Sequence, residues 1–247
     1  MDTASGSPGT GALRAPAEAA APLLTDDRVP YLARLPEALS AALISGGREL
    51  RYPARTVVLR KGEPSSHVLL IMDGWLKVTD GSPEGHEALL ALRGPGDVIG
   101  ESAALHGTAR SASVTALEPV RAVVLSSEGF TAFLDRHPVA MRRLMAVVTD
   151  RMRAADRKRL ELAACGVKER LARLLLELAQ YHGEQVPEGV LVKVPLTQQE
   201  LAGAIGSSRE SVTRLLRELR ERGYVTTRRQ ALVVVEPKKL RRIGGSG

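Results

Sequence analysis

From Arg51 to Leu125 the apolar positions fall in short β-branched and aliphatic runs: Thr56 to Leu59, Val68 to Met72, Trp75 to Val78, Ala88 to Leu92, Val114 to Leu117 and Val120 to Leu125. Gly and Pro punctuate them, at Lys61-Gly62, Asp73-Gly74, Asp80-Gly81 and Gly94-Pro95-Gly96-Asp97. Evenly spaced short strands with glycine turns predict a small all-β barrel or sandwich. Ahead of it, Leu35 to Ser45 has apolar residues at helical spacing and predicts a short helix. Residues 1–29 are rich in Ala, Gly, Ser, Thr and Pro without an apolar period, which predicts a disordered tail.

After Pro138 the pattern turns helical. Met141, Met145, Val148, Met152, Ala155 and Leu162 recur at alternating spacings of four and three, with Arg159 the one break in the seam. The flanks are rich in arginine, so the apolar stripe is narrow. A narrow stripe reads as a coiled-coil dimer contact; the competing reading is a helix packed on its own barrel. Cys165-Gly166 interrupts the seam and predicts a hinge, because glycine costs about 1 kcal/mol inside a helical pattern. A second amphipathic helix follows from Val167 to about Tyr181, with Leu171, Leu174, Leu175 and Leu178 on one face.

Residues 196–222 carry the sharpest pattern. Thr197-Gln198-Gln199-Glu200 reads as a capping box opening a short helix with Leu201, Ala202 and Ile205 inward, and Gly206 ends it. Ser207-Ser208-Arg209-Glu210 reads as a second capping box, opening a longer helix with Val212, Leu215, Leu216 and Leu219 inward. Two short helices joined by a glycine turn, the second studded with arginine, predict a helix-turn-helix. Gly223 to Val225 and Ala231 to Val235 read as two strands around the basic turn Thr227-Arg228-Arg229-Gln230, a wing. The second helix of such a unit enters the DNA major groove amino-end first. Ser208, Arg209, Glu210, Thr213, Arg214 and Arg217 are the residues exposed there. Arg209 and Arg214 suit bidentate contacts to guanine edges, and Glu210 can accept from a cytosine amino group. The bland alternative leaves Glu210 closing the cap and the arginines solvated.

Composition agrees with this division. The chain of 247 residues has net charge +7, but residues 1–140 hold 13 basic and 16 acidic side chains whereas residues 168–247 hold 15 and 9. A mildly acidic front and a basic back suggest that the back meets a polyanion. Aromatic residues make up 3%, so the core is aliphatic. The lone Cys165 excludes a disulfide framework, a cysteine-ligated zinc site and an iron–sulfur cluster, and fits a reducing cytosol. No apolar run approaches the ~20 residues of a membrane span, and no signal peptide is evident. A cytoplasmic location is expected. No nucleophile–base pair and no metal-ligand cluster point to an enzyme.

Ser208-Arg209-Glu210-Ser211-Val212-Thr213-Arg214 is similar to the recognition helix of the CRP/FNR family of bacterial transcription regulators, whose Arg, Glu and Arg at this spacing read a TGTGA-type half-site. The resemblance covers residues 30 to 240. It implies an α+β chain: a cyclic-nucleotide-binding β-roll (a jelly-roll-like barrel, 30–138), a long dimerisation helix (139–165) and a winged helix-turn-helix (166–240), between a tail at 1–29 and another at 241–247. It also implies a homodimer, a pseudo-palindromic double-stranded DNA site and RNA polymerase as a further partner. With it, Thr197, Gln199 and Ser211 join the candidate DNA contacts.

The family's phosphate-binding cassette matches Gly96 to Val114. Gly100 allows close backbone approach, and a helix starting near Ser102 offers free N–H groups to an anion. Arg110 supplies the fork for a phosphate, Ser111 a further donor, and Glu101 can accept from ribose hydroxyls. The alternative is that Glu101 and Arg110 form a structural ion pair. The spacing from Glu101 to Arg110 is nine residues, one shorter than in cyclic-AMP-binding members. The family's Thr-Ser pair on the dimer helix, which reaches the adenine from both subunits, falls at Ala155-Asp156. Ala155 makes no hydrogen bond, and Asp156 accepts from either an adenine amino group or a guanine edge. Arg151 falls near the cassette glutamate. Cyclic AMP is the expected ligand, with cyclic GMP or no ligand as alternatives. No metal is expected, and no haem, since His67, His86, His106, His137 and His182 show no spacing that singles out an axial ligand.

Overall fold

The computed structural model describes residues 29–81, 87–228 and 231–245. The tail expected at 1–29 lies almost wholly outside the described residues, as does part of the basic turn at 229–230.

Eight antiparallel strands form the amino-terminal β-roll. They are β1 (Arg48–Tyr52), β2 (Val57–Leu59), β3 (Val68–Asp73), β4 (Leu76–Gly81), β5 (Glu87–Arg93), β6 (Val98–Ile99), β7 (Ser113–Ala116) and β8 (Val120–Leu125). Two four-stranded sheets, ordered β1-β8-β3-β6 and β2-β7-β4-β5, enclose an aliphatic core of Leu59, Leu69, Ile71, Leu76, Val114 and Val120. The alternating runs mark most of these strands within a residue or two. Strand β1 (Arg-Glu-Leu-Arg-Tyr) was not marked, because as a polar edge strand it has no apolar alternation to show.

Helices α1 (Glu37–Ser45) and α3 (Ser127–Arg136) cover the outer sheet. Ser126 caps α3 by accepting from the Gly129 N–H at 3.0 Å. Both phenylalanines of the chain, Phe130 and Phe133, are buried beneath it. The long helix α4 (Pro138–Ala164) carries two stripes. Ala140, Leu144, Val147 and Ala154 are buried against the β-roll. The seam read from the sequence lies beside them: Met145, Val148, Met152 and Leu162 are exposed, Met152 at 61%. Met141, at the head of that seam, packs instead on the chain's own core.

After Cys165 and Gly166 comes α5 (Val167–His182), whose Leu171, Leu174, Leu175 and Leu178 are buried. Then follow β9 (Gly183–Val186), β10 (Gly189–Val192), α6 (Gln198–Ile205), α7 (Arg209–Glu221), β11 (Val225–Arg228), β12 (Ala231–Val234) and α8 (Pro237–Ile243). The wing is therefore a four-stranded sheet, β11-β12-β10-β9, and larger than the two strands expected. The hairpin β9–β10 is short and its first strand polar, so nothing in its pattern announces it. Among the described residues no helix is long and apolar enough to cross a membrane.

His182 closes α5 and is 8% exposed. Among the described residues neither ring nitrogen has a hydrogen-bond partner, and burial pushes its pKa down to about 4. Folding thus favours the neutral ring. Its contribution is complete above the ordinary value of 6.5 and is lost as pH falls from there toward about 4. Urea unfolding of the wild type is expected to lose about 3 kcal/mol across that window from this group. His182→Gln is expected to flatten this part of the profile; an unchanged profile contradicts the assignment.

Candidate ligand cavity and DNA-reading helix

Strand β6 ends at Gly100, which has φ +86 and serves as the N-cap of α2 (Glu101–His106). A Cβ at Gly100 would stand 2.6 Å from Arg110 Nη1 and 2.8 Å from the His67 carbonyl oxygen, so only glycine fits this conformation and this approach. Arg110 is 4% exposed. Its Nε donates to Ser65 Oγ at 2.9 Å, Nη1 to the Gly100 carbonyl at 3.1 Å and Nη2 to the His67 carbonyl at 2.6 Å. Burial pulls the guanidinium below its ordinary value while Glu101 and Glu63 pull it back. A guanidinium has five N–H donors in a rigid fork. With three used, one on each Nη is left for an oxyanion.

Glu101 does not pair with Arg110. Its Oε1 accepts from Arg151 Nη1 at 2.8 Å, and Arg151 Nη2 donates to the Val98 carbonyl at 2.9 Å. The structural Glu101–Arg110 pair is thereby replaced by a Glu101–Arg151 pair that ties α4 to the β-roll. The three groups line a cavity of about 280 Å³ together with Gly100, Ser102 and Ser111. Its far wall is apolar, formed by Leu59, Val78, Leu90, Ala91, Ile99 and Val114. From α4 come Arg151, Ala155 and Lys158.

Asp156 lies outside its own chain's cavity, exposed and paired with Arg159 at 3.0 Å. At about 100° per residue, Arg151, Ala155 and Lys158 share one face of α4 and Asp156 lies on another. Arg93 and Lys158 line the cavity and were missed. Arg93 sits in a strand that reads as apolar, and Lys158 in a run of basic residues that reads as a solvated flank. Lys158 Nζ donates to the Leu89 carbonyl at 2.9 Å.

In the carboxy-terminal unit the capping box on α6 is complete: Thr197 Oγ1 accepts from the Glu200 N–H, and Glu200 Oε2 accepts from the Thr197 N–H at 2.7 Å. Gly206, at φ +58, ends α6. The second box is corrected by one residue. Ser208, not Ser207, is the N-cap of α7, accepting from the Ser211 N–H at 3.2 Å, so Ser211 takes the N3 place. Glu210 therefore closes no box and stays exposed on the first turn. Arg209, Glu210, Thr213, Arg214 and Arg217 together line one shallow exposed face of α7. Thr213 Oγ1 reaches Gln198 Oε1, a tie between the two helices that the sequence did not announce. Gln199 and Ser208 are exposed at the adjoining helix starts, while Thr197 is occupied by its cap. Among the described residues no three His, Cys, Asp or Glu side chains converge as a metal site requires.

A β-roll enclosing a cation-lined cavity, joined by a long helix to a winged helix-turn-helix, defines a sensor coupled to a DNA reader. Comparison with known proteins agrees. Residues 49–137 match the model of the cyclic nucleotide-binding domain, and residues 169–243 that of the Crp-like helix-turn-helix domain. The chain is 30% identical over 202 residues to the CRP-like cAMP-activated global transcriptional regulator of Mycobacterium tuberculosis, covering 82% of this chain and 90% of the relative. It is 30% identical over 186 residues to the cAMP-activated global transcriptional regulator CRP of Escherichia coli O6:H1, covering 74% and 88%. A solved CRP-family transcriptional regulator from Thermus thermophilus superposes with a TM-score of 0.70 at 25% identity, over 80% of this chain and 97% of that one. The chain belongs to the CRP/FNR family of transcription regulators. These relatives are regulators and not enzymes.

If Arg214 reads a guanine edge, Arg214→Ala is expected to cost about 1–3 kcal/mol on the preferred site and to relax specificity at one position. Binding measured on a panel of single-base variants checks this. A uniform loss on every sequence would make Arg214 a phosphate contact.

Proposed function

We propose that this chain is a homodimeric, sequence-specific DNA-binding regulator controlled by cyclic AMP held in the Glu101–Arg110 cavity, acting in the cytoplasm. Residues 30–138 are the sensor, 139–165 the dimer helix and 166–240 the reader. One observation carries the reading: the wall that closes the cavity is α4, the helix that also presents the exposed apolar seam. Arg110 offers its two remaining N–H groups to the cyclic phosphate, and Ser111 adds a hydroxyl. Glu101, fixed by Arg151, accepts from the ribose. The base lies toward the apolar wall of β4 and β5. The names of the Mycobacterium and Escherichia relatives, both cAMP-activated, support the choice of nucleotide.

A seam with Met152 and Met145 more than half exposed supports pairing with a second copy. In that dimer Asp156, turned away from its own cavity, faces the partner. Two-fold symmetry places the two copies of α7 about 34 Å apart on half-sites about 10 base pairs centre to centre.

The nucleotide assignment is tested by calorimetric titration of cyclic AMP and cyclic GMP into the wild type and Arg110→Ala. Loss of a charge-assisted hydrogen bond costs about 1.5–3 kcal/mol, so the variant is expected to bind cyclic AMP ten- to hundredfold more weakly. Wild-type protein that binds neither nucleotide below millimolar concentration would leave a ligand-independent regulator. For the dimer, Val148→Asp is expected to give monomers in light scattering that lose tight DNA binding. A monomeric wild type at micromolar concentration would contradict it.

A further inference from the structure

Arg110 is held from behind by a loop that lies outside the cavity. Residues 60–67 join β2 to β3 and wrap the arginine at its backbone and its side chain. The Arg110 N–H donates to the Glu63 carbonyl at 3.0 Å, and the Gly62 N–H donates to the Arg110 carbonyl at 2.9 Å. Beside them the Lys61 N–H donates to Ser113 Oγ at 3.1 Å, which ties the loop to the start of β7. Beyond this two-way backbone pair, Ser65 Oγ accepts from Arg110 Nε at 2.9 Å and the His67 carbonyl accepts from Nη2 at 2.6 Å. The Gly100 carbonyl accepts from Nη1 at 3.1 Å. All three guanidinium nitrogens are thus engaged, which fixes the plane of the fork.

Two of these three acceptors are backbone carbonyls, which any sequence supplies; the third is the Ser65 side chain. Ser65 is partly buried and is not among the residues lining the cavity. A neutral hydroxyl accepts without carrying charge. Among the described residues no carboxylate pairs with the Arg110 guanidinium: Glu101 is taken by Arg151 at 2.8 Å and Glu63 by Arg60 at 3.5 Å. The guanidinium therefore keeps its whole charge for the cavity. The loop feels that charge as well: burial and the Arg110 cation push the His67 ring below its ordinary pKa, against the pull of Glu63. A carboxylate in place of the hydroxyl would form a charge-assisted pair and neutralise the fork from behind. A methyl group there would leave a buried Nε–H without an acceptor.

We propose that Ser65 is a positioning residue for the cavity. It touches no ligand and acts through Arg110, holding the fork toward the anion without neutralising it. The inference rests on the proposed cyclic-nucleotide function and names the residue outside the cavity on which the phosphate grip depends.

The test is a double-mutant cycle in the full chain, read by calorimetric titration of cyclic AMP. Ser65→Ala is expected to bind about tenfold more weakly than the wild type, from the loss of a hydrogen bond to a charged group. In an Arg110→Ala background the same change is expected to have no further effect, because Ser65 acts only through the arginine. Ser65→Thr keeps the hydroxyl and is expected to recover the wild-type affinity. Ser65→Ala binding as tightly as the wild type overturns the assignment, and so does an equal loss with and without Arg110. Should Ser65→Ala fail to melt cooperatively, Ser65→Asp decides: undiminished affinity overturns the proposal, and a loss of about tenfold or more supports it. A readout without nucleotide separates this inference from the function it rests on. The Arg110 Nε–H resonance in the protein's NMR spectrum, identified by its absence from Arg110→Ala, is expected to move in Ser65→Ala. If the wild type binds neither cyclic AMP nor cyclic GMP, the nucleotide reading falls and this resonance decides alone. A moved resonance still assigns Ser65 the hold on the arginine, and an unmoved one overturns it.

Discussion

A carboxylate and an arginine that meet at the edge of the cavity hold the sensor to its own long helix. Glu101 stands on the first turn of α2, directly after the left-handed Gly100, and Arg151 reaches it from α4 at 2.8 Å. Both side chains are mostly buried, so each would be costly there without the other. Their pairing, with the Arg34–Asp150 pair at 2.8 Å and the buried Leu144 and Val147, sets the rotation of α4 about its axis. That rotation in turn decides which residues face the cavity (Ala155 and Lys158), which pack on the β-roll (Leu144 and Val147) and which are left outward as an apolar seam (Met145, Val148 and Met152). One helix therefore carries the cavity wall, the β-roll contact and the exposed apolar seam.

Beyond α4 the chain makes one break, at Cys165 and Gly166, before α5 begins the reader. The break is clasped from the far side. Arg173 of α5 meets Glu161 of α4 at 3.0 Å and Glu169 of its own helix at 2.6 Å, and its Nε donates to the Gly244 carbonyl beyond α8. With the Lys77–Glu200 contact on the sensor side, the reader is held at two separated places. Both ion pairs flank the buried apolar cluster that Leu89, Leu92 and Leu117 of the β-roll share with the leucines of α5, α6 and α7.

Much of this was legible in the sequence, and the reasons differ by element. The strands with alternating apolar residues, the buried faces of α5, α6 and α7, and the Thr197 capping box were legible because local pattern dictates them. The cassette glycine was legible because close backbone approach and φ +86 both require it. What escaped was set by partners distant in the chain. Lys77 and Glu200 are 123 positions apart and look like ordinary surface charges until the fold buries them. Arg93 and Lys158 were hidden for the same reason. Ser208 replaced Ser207 as the cap because two serines in a row satisfy the same pattern, and only the backbone distinguishes them.

In the proposed regulator the cavity and α7 are energetically coupled. Coupling is reciprocal: if cyclic AMP tightens DNA binding by some factor, DNA must tighten cyclic AMP binding by the same factor. The most direct measurement is a closed thermodynamic cycle on the wild type, with DNA affinity measured with and without saturating cyclic AMP and cyclic AMP affinity with and without saturating DNA. The two factors are expected to agree and to exceed fivefold, the lower end of ordinary allosteric coupling of about 1–3 kcal/mol. A factor of one in both directions, with both ligands bound, would mean that the cavity and the reading helix do not communicate, and would contradict it.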